Sequence, residues 1–431
     1  MIRRLVVLLL LVGGALLLEP LRVPTEGVIA PRSLFLFGIL LLTADTFGAV
    51  AHGVGLPRLV GYIVAGLALG PSLSGIVPVG VLEDLAMMKR LAIGLIGLLA
   101  GAELRIPDLR IRHRAILAIL VLQATAVLGV VWALTIVTSE WVPFLEGLSG
   151  APLVFVALLF ATMLTVNSPM VTLALLEETR ADGPLARTTL GVVLVADVVI
   201  ILLFTAAFSL ARASLGEGGA SGAGESLFHL LREVAGSIVA GAVVGGVLAL
   251  YLRFVKREMV VFAVVVVFAT AAAAQAIGFE LLLTLLVAGF LVENVAPVRA
   301  EPLVETLHQM AVPVFVVFFA MAGAELRIQE FAEVWPIVLT VAAVRVGAIF
   351  VGARVGARLA QAEPVVQRYA WMGLVSQAGA AIGLATVVAD RLPGIGLAMQ
   401  TATVGVIAVN TSIGAVLFRR GLDRAGEIVV R

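Results

Sequence analysis

The chain has 431 residues, 61% of them apolar and 13% charged, with a formal net charge of +1 and a mean hydropathy of +1.14. No water-exposed globular surface tolerates that balance over such a length, so the solvent for most of the protein is lipid. The charge distribution carries no nucleic-acid footprint, and the absence of cysteine excludes a disulfide framework, a thiolate metal site and a redox pair.

The first apolar stretch, residues 5–18 behind Arg3 and Arg4, has the charged start and apolar middle of a signal peptide. It lacks a clear small-residue cleavage site, which favours a retained extra helix. Thirteen spans follow, at 34–51, 59–77, 91–104, 115–137, 153–176, 188–210, 234–252, 259–276, 281–295, 311–326, 335–353, 369–389 and 395–418. Apolar runs of about 17 to 25 residues are long enough to cross a hydrocarbon core of about 30 Å. The fold class is therefore an all-α polytopic membrane protein. No HExxH, Walker or dinucleotide pattern is present, so an enzyme is not expected.

Basic residues accumulate in alternate loops: Arg105, Arg110, Arg112 and Arg114, then Arg253, Lys256 and Arg257, then Arg354, Arg358 and Arg368, then Arg419, Arg420 and Arg424. Such loops belong on the cytoplasmic side, which places the C-terminus there too. The opposite loops are poor in basic residues. One of them contains LGEGGASGAGES at 215–226, which reads as a flexible joint.

An internal repeat organises the spans. The heptad Ala-Gly-Ala-Glu-Leu-Arg-Ile occurs at Ala100–Ile106 and again at Ala322–Ile328, 222 residues later. Val64-Ala65-Gly66 running on to Pro71 is echoed by Val287-Ala288-Gly289 running on to Pro297. Seven spans separate the copies, an odd number, so the two halves have opposite topology. Inverted repeats place a transport site near the bilayer midplane. The expected organisation is an N-terminal segment at 1–33, a first repeat at 34–210, a loop and linker helix at 211–256, a second repeat at 257–418 and a short basic tail at 419–431.

Asp197 lies in GVVLVADVVIILLF, mid-membrane in the sixth span. A carboxylate at that depth is costly and usually functional. Desolvation raises its pKa towards neutrality, where a hard cation competes with H⁺ for the same oxygens. Arg345, in TVAAVRVGAIF, is the other deep charge; it stays protonated and should pair with a carboxylate or with backbone carbonyls, attraction to Asp197 included. Thr165, Asn167, Ser168 and Pro169 interrupt the fifth span, and Ser376, Gln377, Ala378 and Gly379 sit at the corresponding place in the twelfth. Two broken helices crossing there would turn helix N-termini and free carbonyls towards an ion. Asp45, Thr43, Glu103 and Glu325 are weaker candidates, and His52, His113, His229 and His308 fall in or beside expected loops.

These residues resemble the cation/proton antiporter superfamily, particularly sodium/proton exchangers and the membrane domains of potassium-efflux antiporters. Gly55-Leu56-Pro57, Gly61-Tyr62, Ala65-Gly66 and Gly70-Pro71 look like the family's early motif, Thr165 to Val171 like its unwound segment, and Leu194–Val199 like its carrier helix. The resemblance implies that Asp197 carries the ion and the proton, that Thr165, Asn167 and Ser168 line the crossing, and that Arg345 holds the family's basic position. It further implies a mobile core from spans four to six and eleven to thirteen, a dimerising scaffold from spans one to three and eight to ten, and a prokaryotic inner membrane. Ala196 stands where sodium/proton exchangers usually have Asp or Asn, and Gly379-Ala380 where many relatives have Gly-Glu. The nucleotide-binding regulatory domain of many potassium-efflux relatives is not expected here, since a short basic tail follows the last span. The expected function is exchange of Na⁺ or K⁺ for H⁺ by a homodimer in the bilayer, electroneutral because Asp197 is the single titrating group, with no cofactor and no other metal. Transport of another solute, or a channel or sensor, is the alternative.

Overall fold

In the computed structural model the backbone is described for residues 30–104, 106–216, 222–255, 258–277, 279–296, 300–326, 328–377, 379–392 and 394–428. The apolar stretch at 5–18 lies outside the described residues. Among those described, the regular elements are helices without a strand. In chain order they are α1 (Pro31–Gly53), α2 (Arg58–Leu69), α3 (Val79–Asp84), α4 (Ala86–Glu103), α5 (Ile106–Val137), α6 (Gly150–Met163), α7 (Pro169–Thr179) and α8 (Pro184–Ser214). They continue as α9 (Gly222–Phe254), α10 (Met259–Ile277), α11 (Leu281–Asn294), α12 (Glu301–Ala324), α13 (Ile328–Leu359), α14 (Pro364–Gly373), α15 (Gly379–Arg391) and α16 (Gly396–Ala425). Among the described residues six stretches are long and apolar enough to cross a membrane by themselves: Pro31–Gly53, Arg110–Val137, Ala235–Phe254, Glu301–Ala324, Val334–Leu359 and Gly396–Ala425.

Shorter helices have local causes. The span expected at 59–77 is helical only to Leu69, because Gly70 closes the helix on the Gly66 carbonyl and Pro71 has no N–H to continue it. In the other direction, α9 starts at Gly222, inside the segment expected to be a flexible joint. His308 lies within α12 and not beside a loop; its Nε2 is 2.9 Å from a Glu103 carboxylate oxygen.

The chain forms two compact units, one from residues 1–105 and 234–329, the other from 106–233 and 330–431. Each unit draws on both halves of the sequence. In the first unit the repeated motifs pack reciprocally. A Cβ on Gly66 would strike the Ala320 carbonyl and one on Gly323 the Ile63 carbonyl, so α2 and α12 touch backbone to backbone. The same contact recurs between α4 and α11, where Gly101 meets the Leu286 carbonyl and Gly289 the Leu98 carbonyl. Each Val-Ala-Gly helix thus packs on the Ala-Gly-Ala-Glu helix of the other repeat, with small residues permitting an approach that lipid alone would not drive. Lys89 and Glu325 pair at the end of α12, and the Ser72 hydroxyl donates to the Leu326 carbonyl.

In the second unit α5 and α13 are each 32 residues long. Gly352 and Gly356 on α13 meet the backbone of α5 at Leu122–Gln123 and Ala118–Ile119. That approach sets the depth of both helices beside the two broken ones, α6–α7 and α14–α15. α8 packs against α5, α6, α7 and α14, and α16 packs against α7, α14 and α15.

Candidate functional site

The first break covers residues 164–168. The amide nitrogens of Leu164 and Thr165 still donate to Phe160 and Thr162, and the Thr165 hydroxyl turns back to the Ala161 carbonyl (2.9 Å). A new helix then starts at Pro169, whose missing N–H costs nothing in the first turn, with the Ser168 hydroxyl capping the Val171 N–H (3.2 Å). The second break begins at Leu374 and separates α14 from α15, which opens on Gly379. The two breaks cross through the Ser168 N–H, which donates to the Ser376 carbonyl (2.9 Å).

Side-chain amides make the crossing reciprocal. Asn167 Nδ2 donates to the carbonyl of Leu374, the first residue of the second break (2.6 Å). Gln377 Nε2 donates to the carbonyl of Leu164, the first residue of the first break (3.3 Å). Gln123 Nε2 donates to Asn167 Oδ1 (3.1 Å), Asn410 Nδ2 donates to Gln377 Oε1 (3.2 Å), and the Thr411 hydroxyl donates to the Gln377 carbonyl. Thr165, Asn167, Ser168, Gln377, Gln123 and Asn410 are all buried.

Arg345 closes the set. It is 0% exposed, and its Nε, Nη1 and Nη2 donate to the carbonyls of Leu164 (2.6 Å), Val375 (2.6 Å) and Val166 (2.9 Å). Burying a guanidinium costs several kcal/mol, about the return from three charge-assisted hydrogen bonds of ~1.5–3 kcal/mol each. Of the two partners open to it on the sequence, backbone carbonyls are the ones the described contacts show. The carbonyls of Leu164, Val166, Leu374, Val375, Ser376 and Gln377 already accept from protein donors. Arg345, the amides and the Thr411 hydroxyl thus tie these six carbonyls to the protein.

Asp197 lies on α8, with Ala196 beside it fully buried; the side chain of Asp197 itself, like that of Gly379's neighbour Ala380, lies outside the described ones. α8 starts under unusual control. The Glu427 carboxylate, 7% exposed, accepts from the N–H groups of Leu185 (2.7 Å) and Ala186 (2.8 Å), and its carbonyl accepts from the Asp182 N–H (3.3 Å). A carboxylate at a helix N-terminus meets both the free N–H groups and the positive end of the dipole. Nearby, the Arg187 hydrogen bond holds the Asp182 carboxyl below its ordinary value, against the opposing effect of partial burial.

The sequence profile described as "Sodium/hydrogen exchanger, transmembrane" matches residues 37–419. The chain belongs to that sodium/hydrogen exchanger family. Its members are transporters, so this exchanger is a multi-pass membrane protein that exchanges a cation for protons and is not an enzyme. Among solved structures it is similar to the sodium proton antiporter MjNhaP1 from Methanocaldococcus jannaschii at pH 8, with 14% identity and a TM-score of 0.65 over 90% of this chain and 95% of that one. An electron-microscopy structure of the same antiporter gives 16% identity and a TM-score of 0.69 over 93% and 99%. At these identities the likeness shows a shared fold. No curated protein matches the sequence significantly.

The structure of this exchanger brings Thr165, Asn167, Ser168, Pro169, Gln377, Gly379 and Arg345 to one crossing within one unit. Sequence reasoning missed Gln123, Asn410 and Thr411 there. Their signal was available, since Gln123 and the Asn410-Thr411 pair are polar residues within long apolar helices.

Proposed function

We propose that this exchanger moves one monovalent cation, Na⁺ or K⁺, against one proton on the carboxylate of Asp197. What supports the reading is that Arg345 spends its donors on the crossing's carbonyls, while Asp197 is the one acidic residue in the middle of an apolar run of the second unit. Arg345 cannot release a proton near neutral pH and Ala196 offers no second carboxylate. A single carboxylate that holds either ion then gives a 1:1 cycle without net charge movement. Thr165, Asn167 and Ser168 hold the crossing and border the ion path. The second unit acts as the moving core and the first as the scaffold of a homodimer, in a prokaryotic inner membrane with the C-terminus cytoplasmic.

Because the similar solved structures are of a sodium proton antiporter, sodium is the first cation to test. Proton flux in proteoliposomes, driven by gradients of Na⁺, K⁺ or Li⁺, measures the activity. Asp197→Asn keeps the side-chain volume and removes the titratable charge; it is expected to abolish coupled exchange while the purified protein stays folded. Near-normal flux in a folded Asp197→Asn protein removes the carrier assignment. Clamping the membrane potential tests stoichiometry, since a reversal point that moves with voltage requires a second transported charge.

A further inference from the structure

The second unit contains two copies of one arrangement, and the repeat says which residues correspond. α5 and α13 have equal length and both begin on the isoleucine of the duplicated heptad, so Gln123 and Arg345 occupy the same place, 222 residues apart. The breaks that begin at Leu164 and Leu374 pair Asn167 with Gln377, each the fourth residue of its break. Val193-Leu194-Val195-Ala196-Asp197 on α8 matches Val406-Ile407-Ala408-Val409-Asn410 on α16, which pairs Asp197 with Asn410.

The backbone fixes the polarity of every amide in both copies. A carbonyl can only accept, so Asn167 must present Nδ2 to Leu374 and leave Oδ1 to accept; Gln123 must then donate Nε2 and leave Oε1 over. By the same steps Gln377 presents Nε2 to Leu164, and Asn410 donates Nδ2 and leaves Oδ1 over. Gln123 Oε1 and Asn410 Oδ1 are fully buried and have no hydrogen-bond partner among the described residues. A buried acceptor without a donor is destabilising, and a hard cation takes such oxygens as ligands.

The two copies differ in charge. The second holds a permanent cation, Arg345, on oxygens of both breaks, with neutral Asn410 as the counterpart of Asp197. The first holds neutral Gln123 and the carboxylate. We infer that the first copy binds the transported monovalent cation with Gln123 Oε1 as a neutral ligand, while in the second copy Arg345 stands at the place of Gln123 and donates to backbone carbonyls. Gln123 is thus a specificity-determining residue, because its oxygen helps replace the water the cation sheds. The inference rests on the assignment of Asp197 as carrier.

Gln123→Met tests it, because methionine has similar length and no amide oxygen. In proteoliposomes the KM for the driving cation is expected to rise about tenfold or more, with the maximal rate changed by less than about twofold. Cation-induced thermal stabilisation, which reads binding without transport, should shrink in parallel. Gln123→Glu keeps an oxygen and adds a second carboxylate, so it should retain cation affinity and move the pH profile upward. A wild-type KM and a wild-type cation-induced stabilisation in Gln123→Met overturn the inference, even if the resting stability falls. Should Gln123→Met fail to fold, a wild-type pH profile in Gln123→Glu overturns it instead. Full exchange by Asp197→Asn would sink the carrier assignment, whereas a wild-type KM in Gln123→Met beside an inactive Asp197→Asn sinks this inference alone.

Discussion

The two compact units use the same inverted repeat for opposite ends. In the first, the repeated segments meet backbone to backbone through Gly66, Gly323, Gly101 and Gly289, and among the described residues the buried polar side chains are small hydroxyls such as Ser237 and Thr284. In the second, the repeated segments break, and the buried space fills with amides, hydroxyls and a guanidinium. Small residues make a rigid body at low cost in lipid. Buried polar residues cost more and are retained where something must be bound or moved. The contrast predicts that damage in the first unit leaves the chemistry of the surviving folded protein intact, whereas damage in the second alters it.

Asp197→Asn, with exchange lost and folding kept, is the largest functional effect expected of that contrast. Arg345→Ala should come next, removing the donors of three buried carbonyls at once; a loss of about 3–5 kcal/mol, with a shifted pH profile of exchange, is expected from thermal unfolding in detergent and flux assays. No change in either would mean that the guanidinium does not hold the breaks together. Gly323→Val forces a branched side chain into the Ile63 carbonyl, and overpacking of that kind costs about 1–3 kcal/mol or more. Its melting point should fall while the KM of the surviving folded protein stays near wild type; a selective KM change would blur the division between the units.

Glu427→Gln weakens the cap of α8 and should cost about 0.5–2 kcal/mol, seen as earlier hydrogen exchange at Leu185 and Ala186. Asp182→Asn is the smallest change, below about 1 kcal/mol, because the Arg187 pair is largely exposed. Its sign is still defined. The folded pKa of Asp182 is lowered, so its stabilisation is present above the ordinary carboxylate pKa and is lost as pH falls through the lowered folded value. Wild type and Asp182→Asn should therefore differ at neutral pH and converge in acid.

Much of the fold was legible because lipid imposes long apolar runs, and both breaks were legible because Pro169 and the polar residues around Asn167 and Gln377 stand out inside them. The burial of Arg345 was legible for the same reason. What Arg345 binds was not, since a guanidinium is served equally by carboxylates and by carbonyls, and carbonyls leave no trace in a sequence. Gln123 is visible as a polar residue in an apolar helix, and its correspondence to Arg345 appears when the heptad is used as a ruler. Glu427 is hidden differently. It lies in a polar tail, where a capping carboxylate looks like any other surface charge, and its partners are more than two hundred residues earlier. α9 overran its expected start because a glycine-rich composition suggests a joint, yet the apolar helix behind it propagates back to Gly222.

The reciprocal glycine contacts of the first unit also set an order of assembly. Ser72 and its partner Leu326 are separated by 254 residues, and the seats for α2 and α4 are on α12 and α11. During synthesis, the early helices enter the bilayer with their glycine faces open to lipid and keep them so until the second repeat leaves the ribosome. Neither half can finish alone, and a chain released early would present bare backbone grooves to the membrane, the kind of surface that quality-control proteases can recognise.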